Sequence, residues 1–109
     1  MRIDPEFLKG SVSLLLLSLL ARAEMYGYEI LQEASRRSAS AFTLKEGTLY
    51  PALHHLEQKG LIRAVWRTGD NGRERKYYSL TPKGRRAAED YQRQWRHLTD
   101  AMSAVLESK

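Results

Sequence analysis

The apolar residues of this chain change their period at Gly60, and that single change limits the folds open to it. Before it, Leu49, Leu53 and Leu56 recur at steps of three and four with Ala52 beside them, and Ile30, Leu31 and Ala34 form a second stripe. That is the spacing of amphipathic helices. After it, Leu61 to Thr68 (LIRAVWRT) and Arg73 to Leu80 (RERKYYSL) are rich in branched and aromatic residues and alternate. Between them stands Gly69-Asp70-Asn71-Gly72. Two such runs about a turn of this composition predict a β-hairpin. Thr81-Pro82 then restarts the helical period, with threonine as cap and proline as first helical residue.

The full order reads helix, helix, helix, hairpin, long helix. A first helix is expected over 5–23, with Pro5 in its first turn and leucines round most of its circumference from Val12 to Leu20, so buried nearly all round. A second is expected over 27–37, with Glu29, Gln32, Glu33 and Arg36 outward. Ser38 to Phe42 is a small, polar connector. Thr43 and Glu46 have the spacing of a capping box that opens the third helix, and Gly60 ends it as a C-cap. The fourth runs to about Glu107. The fold class is mainly α with a small β-hairpin. Paired helices followed by a basic hairpin are the plan of a winged helix-turn-helix, here with a long C-terminal dimerisation helix. We read residues 1–80 as the DNA-binding domain and 81–109 as the dimerisation helix of a single compact unit.

Several function classes drop out. A chain of 109 residues makes one domain with a modest core. With no cysteine it has neither a disulfide framework nor a thiolate metal site, which fits a reducing cytoplasm. The longest apolar run, interrupted by Ser18, falls short of the ~20 residues of a membrane span. Asp4 and Glu6 precede that run without a cleavage signal, unlike a secretory leader. His54 and His55 are adjacent rather than four apart, so they cannot ligate one metal from a helix face. No carboxylate pair, phosphate-cradling loop or nucleophile motif is visible. We therefore expect no enzyme, no cofactor and no metal.

The charge points elsewhere. The net charge is +5, and Arg63 to Lys76 alone carry a net +3. A hairpin so charged, beside a helix-turn-helix, suits the phosphates of double-stranded DNA. Arg73, Arg75 and Lys76, just after the turn, are candidate contacts. The front of the third helix supplies others: Lys45, Gly47, Thr48, Tyr50, Pro51 and His54. Gly47 lets backbone approach phosphate, while Thr48, Tyr50 and His54 offer hydrogen bonds or contacts to thymine methyls. Proline inside a helix costs about 3 kcal/mol. An irregular turn over 44–47, with the helix beginning near Gly47 or Thr48, would place Pro51 where that cost is small. Two readings stay open for Tyr50, DNA contact or packing on the hairpin, and for Tyr26, a phosphate contact through its hydroxyl or core packing. Tyr77 and Tyr78 should alternate across the hairpin.

The fourth helix carries a heptad: Ala88, Tyr91, Trp95, Leu98, Met102 and Val105, extended backward by Gly84. At 1.5 Å per residue it would be about 40 Å long, more than so small a domain can cover. A homodimer seam is expected, with packing on the chain's own first helix as the other reading. Trp95 at such a seam, with flexible Met102 two turns on, would either sandwich a small planar aromatic ligand or simply fill the seam.

Five blocks of the sequence resemble the PadR family of bacterial transcriptional regulators: Leu8-Lys9-Gly10 opening a leucine-rich helix, Tyr26-Gly27-Tyr28-Glu29-Ile30, Gly47-Thr48-Leu49-Tyr50-Pro51-Ala52-Leu53, Leu56-Glu57-Gln58-Lys59-Gly60-Leu61-Ile62, and Arg75-Lys76-Tyr77-Tyr78-Ser79-Leu80-Thr81. They stand in family order and spacing. The resemblance implies a dimeric winged-helix protein that binds a palindromic operator, usually as a repressor, and that an aromatic small molecule releases in some members. The single C-terminal helix looks like the smaller of the family's size classes. His55 departs from the pattern, standing where arginine is common. Two other functions are compatible with the sequence: a winged-helix protein–protein adaptor with weak non-specific DNA binding, and a small-molecule carrier built around Trp95.

Overall fold

The computed structural model describes residue 3 and residues 8–108. Pro5 and the expected start of the first helix lie outside them. A short 3₁₀ turn (Lys9–Ser11) leads into α1 (Val12–Leu20), β1 (Met25–Tyr26), α2 (Gly27–Arg37), α3 (Glu46–Gln58), β2 (Ile62–Thr68), β3 (Glu74–Leu80) and α4 (Pro82–Glu107). This is a winged helix-turn-helix with a long last helix.

The core is built round α1. Leu16 and Leu17 are fully buried against Ile30 of α2, Leu49, Leu53 and Leu56 of α3, and Ile62 of β2. Each such side chain contributes about 1.5–3 kcal/mol by leaving water. The leucine wrapping anticipated a helix buried nearly all round. It did not anticipate an end at Leu20 instead of residue 23. There the chain must become extended, because Met25 and Tyr26 pair with Tyr78 and Tyr77 of β3. The sheet accordingly has three antiparallel strands in the order β1-β3-β2, one more than the hairpin expected.

α2 occupies its expected span. It ends where Ala39 and Ser40 turn left-handed, at φ 51° and 67°. The Ser38 hydroxyl secures that turn, donating to the Ala34 carbonyl at 2.6 Å and accepting from the Phe42 N–H at 2.9 Å.

α3 corrects two expectations. It opens at Glu46 with extended Lys45 as N-cap, so Glu46 is the first helical residue rather than the third of a helix capped at residue 43. Irregular backbone ends at residue 45 rather than 47, which makes Pro51 the sixth helical residue, just after the first turn. The proline therefore removes one helical hydrogen bond, the one residue 51 would give to Gly47.

The far end of α3 is fastened to α4. Gly60, at φ 73°, breaks the helix. The Thr81 N–H donates to the Leu61 carbonyl at 3.1 Å, its hydroxyl to the Gly60 carbonyl at 2.6 Å, and Lys83 Nζ to the Lys59 carbonyl at 2.9 Å. The same threonine caps α4, its hydroxyl accepting from the Gly84 N–H at 3.0 Å. Gly84 lies against the Leu61 backbone.

Candidate nucleic-acid interface

The front of α3 presents the expected residues to solvent. Leu49, Leu53 and Leu56 turn inward, and Lys45, Gly47, Thr48, Tyr50, Pro51 and His54 are all exposed. Tyr50 reaches back: its hydroxyl end lies on Gly27, the first residue of α2, where a Cβ would collide with it. The two glycine–tyrosine stretches, far apart in sequence, thus meet in space.

Tyr26 ends β1 and precedes α2, and its N–H donates to Glu29 Oε1 at 3.2 Å. Its ring is half-buried. It meets the Tyr77 ring edge-on at 5.4 Å between centroids, and the Arg75 guanidinium stands 4.4 Å over its face. Tyr26 is therefore clamped to the hairpin rather than sunk in the core.

The hairpin divides its cations between two faces. Arg75 shares the outer face with Tyr77, whereas Lys76 shares the inner face with Tyr78, 5.7 Å from that ring. The sequence offers both as DNA contacts, and strand alternation puts them on opposite faces. Tyr78 is buried as the inner member of its pair, and burial first, then the Glu57 carboxylate and Tyr50, push its phenol up. Arg73 is exposed in the turn, where its N–H donates to Asn71 Oδ1 at 3.1 Å. The arginines of α2 are already engaged. Arg36 and Arg37 both bond Glu33, at 2.9 and 2.8 Å, and hold its carboxyl down at about 2.

The front of α3 thus touches the start of α2 through Tyr50 and Gly27, and Tyr26 beside it touches the hairpin through Arg75 and Tyr77. The model of the Transcriptional regulator PadR-like family matches residues 16–90, which span α1 to the first turns of α4. The chain belongs to that family. It is 42% identical over 82 residues to transcriptional regulator Rv3488 of Mycobacterium tuberculosis, covering 75% of this chain and 73% of that one. Its fold matches crystal structures of PadR family regulators from Eggerthella lenta (TM-score 0.83, 32% identity, covering 95% of this chain and 88% of that one) and Clostridium difficile (0.76, 37%, 88% and 98%). This PadR-like protein is thus a transcriptional regulator, not an enzyme, and its family implies DNA as partner.

Three further exposed or register-paired residues are not among the candidate contacts named from the sequence. Tyr28 is 59% exposed on the first turn of α2, and Trp66 is 64% exposed on β2. Arg67 stands opposite Arg75 in the ladder. Counting out from a Gly69–Gly72 turn would have set Arg67 opposite Glu74; the loop runs one residue further, through Arg73, and that extra residue brings Arg67 opposite Arg75.

Gly47 also separates fold from interface. Its φ is not left-handed, and a Cβ there would meet nothing within 4 Å. The fold does not require a glycine that costs a helix up to about 1 kcal/mol. Gly47→Ala should raise the melting temperature of the regulator while weakening its DNA binding. Thermal denaturation and anisotropy on the same preparation read both signs, and unchanged affinity would remove Gly47 from the interface.

The α4 seam needs correction at one end. Ala88 is 3% exposed and Gly84 is buried, both against the chain's own core, and Tyr91 packs partly on it. Ala88 therefore has no surface left for a partner. Beyond it Trp95, Leu98, Met102, Val105 and Leu106 are 44–75% exposed. A groove of about 470 Å³ lies between α4 and the start of α1, lined by residues including Gly10, Leu14, Tyr91 and Trp95. Met102 is not among them.

Proposed function

We propose that this regulator is a homodimeric repressor that binds a palindromic operator, with the front of α3 in the major groove and the hairpin on the flanking backbone. The observation that carries this reading is the surface on which Lys45, Gly47, Thr48, Pro51 and His54 stand exposed, joined through Tyr50 and Gly27 to Tyr26 and Arg75. Dimerisation is supported by the apolar stripe of α4 from Trp95 onward, whose large side chains are left about half exposed or more. The resemblance to a family whose members usually repress supports repression. Two copies of α3 would address half-sites about 34 Å apart, or a multiple of that.

Fluorescence anisotropy tests the proposal, using a duplex from upstream of this chain's own gene against a scrambled one, at two salt concentrations. Tight, sequence-dependent binding that weakens steeply with salt is expected. Arg73→Ala and Arg75→Ala should weaken binding to both duplexes and each reduce the salt slope by about 0.9. Equal, weak binding to both duplexes, insensitive to those changes, would favour the adaptor.

The groove beside Trp95 supports a second part of the proposal, release by a planar aromatic effector. In a Trp66→Phe background, quenching of Trp95 should accompany loss of DNA affinity. Quenching that leaves DNA affinity intact would make the protein a carrier.

A further inference from the structure

Arg67 and Arg75 are directly opposite in the β2–β3 ladder and on the same face. Like charges so placed repel, and a ladder that keeps them needs a counter-charge. The fold supplies one to only one of them. Arg67 reaches over the Tyr77 ring, at 5.8 Å, and ion-pairs with Glu24 Oε1 at 2.6 Å. Glu24 immediately precedes β1, on the far side of β3, so Arg67 crosses the sheet to meet it. Arg75 lies instead over Tyr26, and no carboxylate partner of it is found among the described residues. Between Glu24, the two arginines, Tyr77 and the turn lies an open groove of about 490 Å³.

We propose that this groove receives a backbone phosphate of the bound DNA, and that Glu24 holds Arg67 back from it, limiting how tightly the hairpin grips. The inference rests on the DNA-binding function proposed above and adds a residue that acts against it. A phosphate in the groove meets two guanidiniums and two carboxylates, Asp70 in the turn and Glu24, of which Glu24 is the one ion-paired with Arg67. The guanidinium fork suits phosphate oxygens as well as carboxylate oxygens, so the phosphate competes with Glu24 for the same donors. The competition is open because both partners are partly exposed, Arg67 by 54% and Glu24 by 36%, and such pairs are screened and weakly held. The groove adjoins the candidate interface through Tyr26, whose ring touches both Arg75 and Tyr77.

The test is a double-mutant cycle of full-length wild type, Glu24→Gln, Arg67→Ala and the double variant, titrated with the upstream and scrambled duplexes over a range of potassium chloride. Phosphate contacts do not read sequence, so both duplexes should respond alike. Glu24→Gln should tighten binding several-fold and steepen the salt slope by about 0.9, one further phosphate neutralised. Arg67→Ala should abolish the added slope when combined with Glu24→Gln. Unchanged or weaker binding by Glu24→Gln would overturn the inference, as would an equal gain with and without Arg67, which would make Glu24 only a remote negative charge. If the wild type bound with salt-dependent affinity in either case, the DNA-binding reading would survive that failure. Absence of salt-dependent binding in all four proteins would sink both.

Discussion

A chain carrying Leu98→Asp together with Met102→Asp should sediment as a monomer and bind its operator on the order of 10²- to 10⁴-fold more weakly. That factor is what tethering two reading heads contributes when the second binds from an already bound partner. The physical ground is the outer part of α4, a 26-residue helix of which only the first turns sit on the core. Leu98 and Met102 are one turn apart and about half exposed. They lie on the stripe that includes Trp95 and Val105. Carboxylates at both positions would have to be desolvated inside a seam, at several kcal/mol each without partners. Sedimentation velocity and anisotropy on one preparation decide it. A dimer with full affinity would place the interface elsewhere, and a wild-type monomer would remove the seam altogether.

Gly84→Ala should lower the melting temperature by roughly 8–16 °C. Two terms oppose each other. Alanine improves the helix by about 1 kcal/mol. Its Cβ, however, would be driven into the Leu61 carbonyl, 2.9 Å from its carbon and closer still to its oxygen. The neighbour is backbone that also accepts the Thr81 N–H, so it cannot swing aside as a side chain would. Overpacking against such a wall belongs at the upper end of its range, about 3 kcal/mol. The net loss of about 2 kcal/mol gives the shift stated, at the sensitivity of a domain this size. A rise in melting temperature would mean that α4 is not seated so closely. Gly47→Ala is the same chemical change with the opposite expected sign, because at Gly47 the fold leaves open space.

The comparison of these glycines also shows what the sequence made legible. Both sit on helices with clear apolar periodicity, and the periodicity found the helices: α2 spans its expected residues, and α3 buries the three expected leucines. Periodicity cannot say what lies against a face. Gly84 and Ala88 continue the stripe of Trp95 and Leu98, yet the first pair is used by the core and the second is left bare. β1 was invisible for a different reason. Two residues carry no period, and Met25 and Tyr26 become a strand only because β3 offers them partners. The start of α3 was blurred because Thr43 and Glu46 have capping-box spacing, while the backbone delays the helix to Glu46 itself. Arg67 counts in the sequence only toward the hairpin's charge, because its importance lies in register with Arg75, a relation between strands rather than along one.

The fastening of α3 to α4 bears on how operator spacing is set. Lys59, Gly60 and Leu61 hand their carbonyls directly to Lys83 and Thr81, so α3, the proposed reader, and α4, the proposed pairing helix, are braced like the arms of one angle bracket. In a dimer, the gauge between the two readers would then be cut at the seam. A substitution near Trp95 that altered the crossing angle of the paired helices would change which half-site separation is preferred, with every residue near the DNA left as it was.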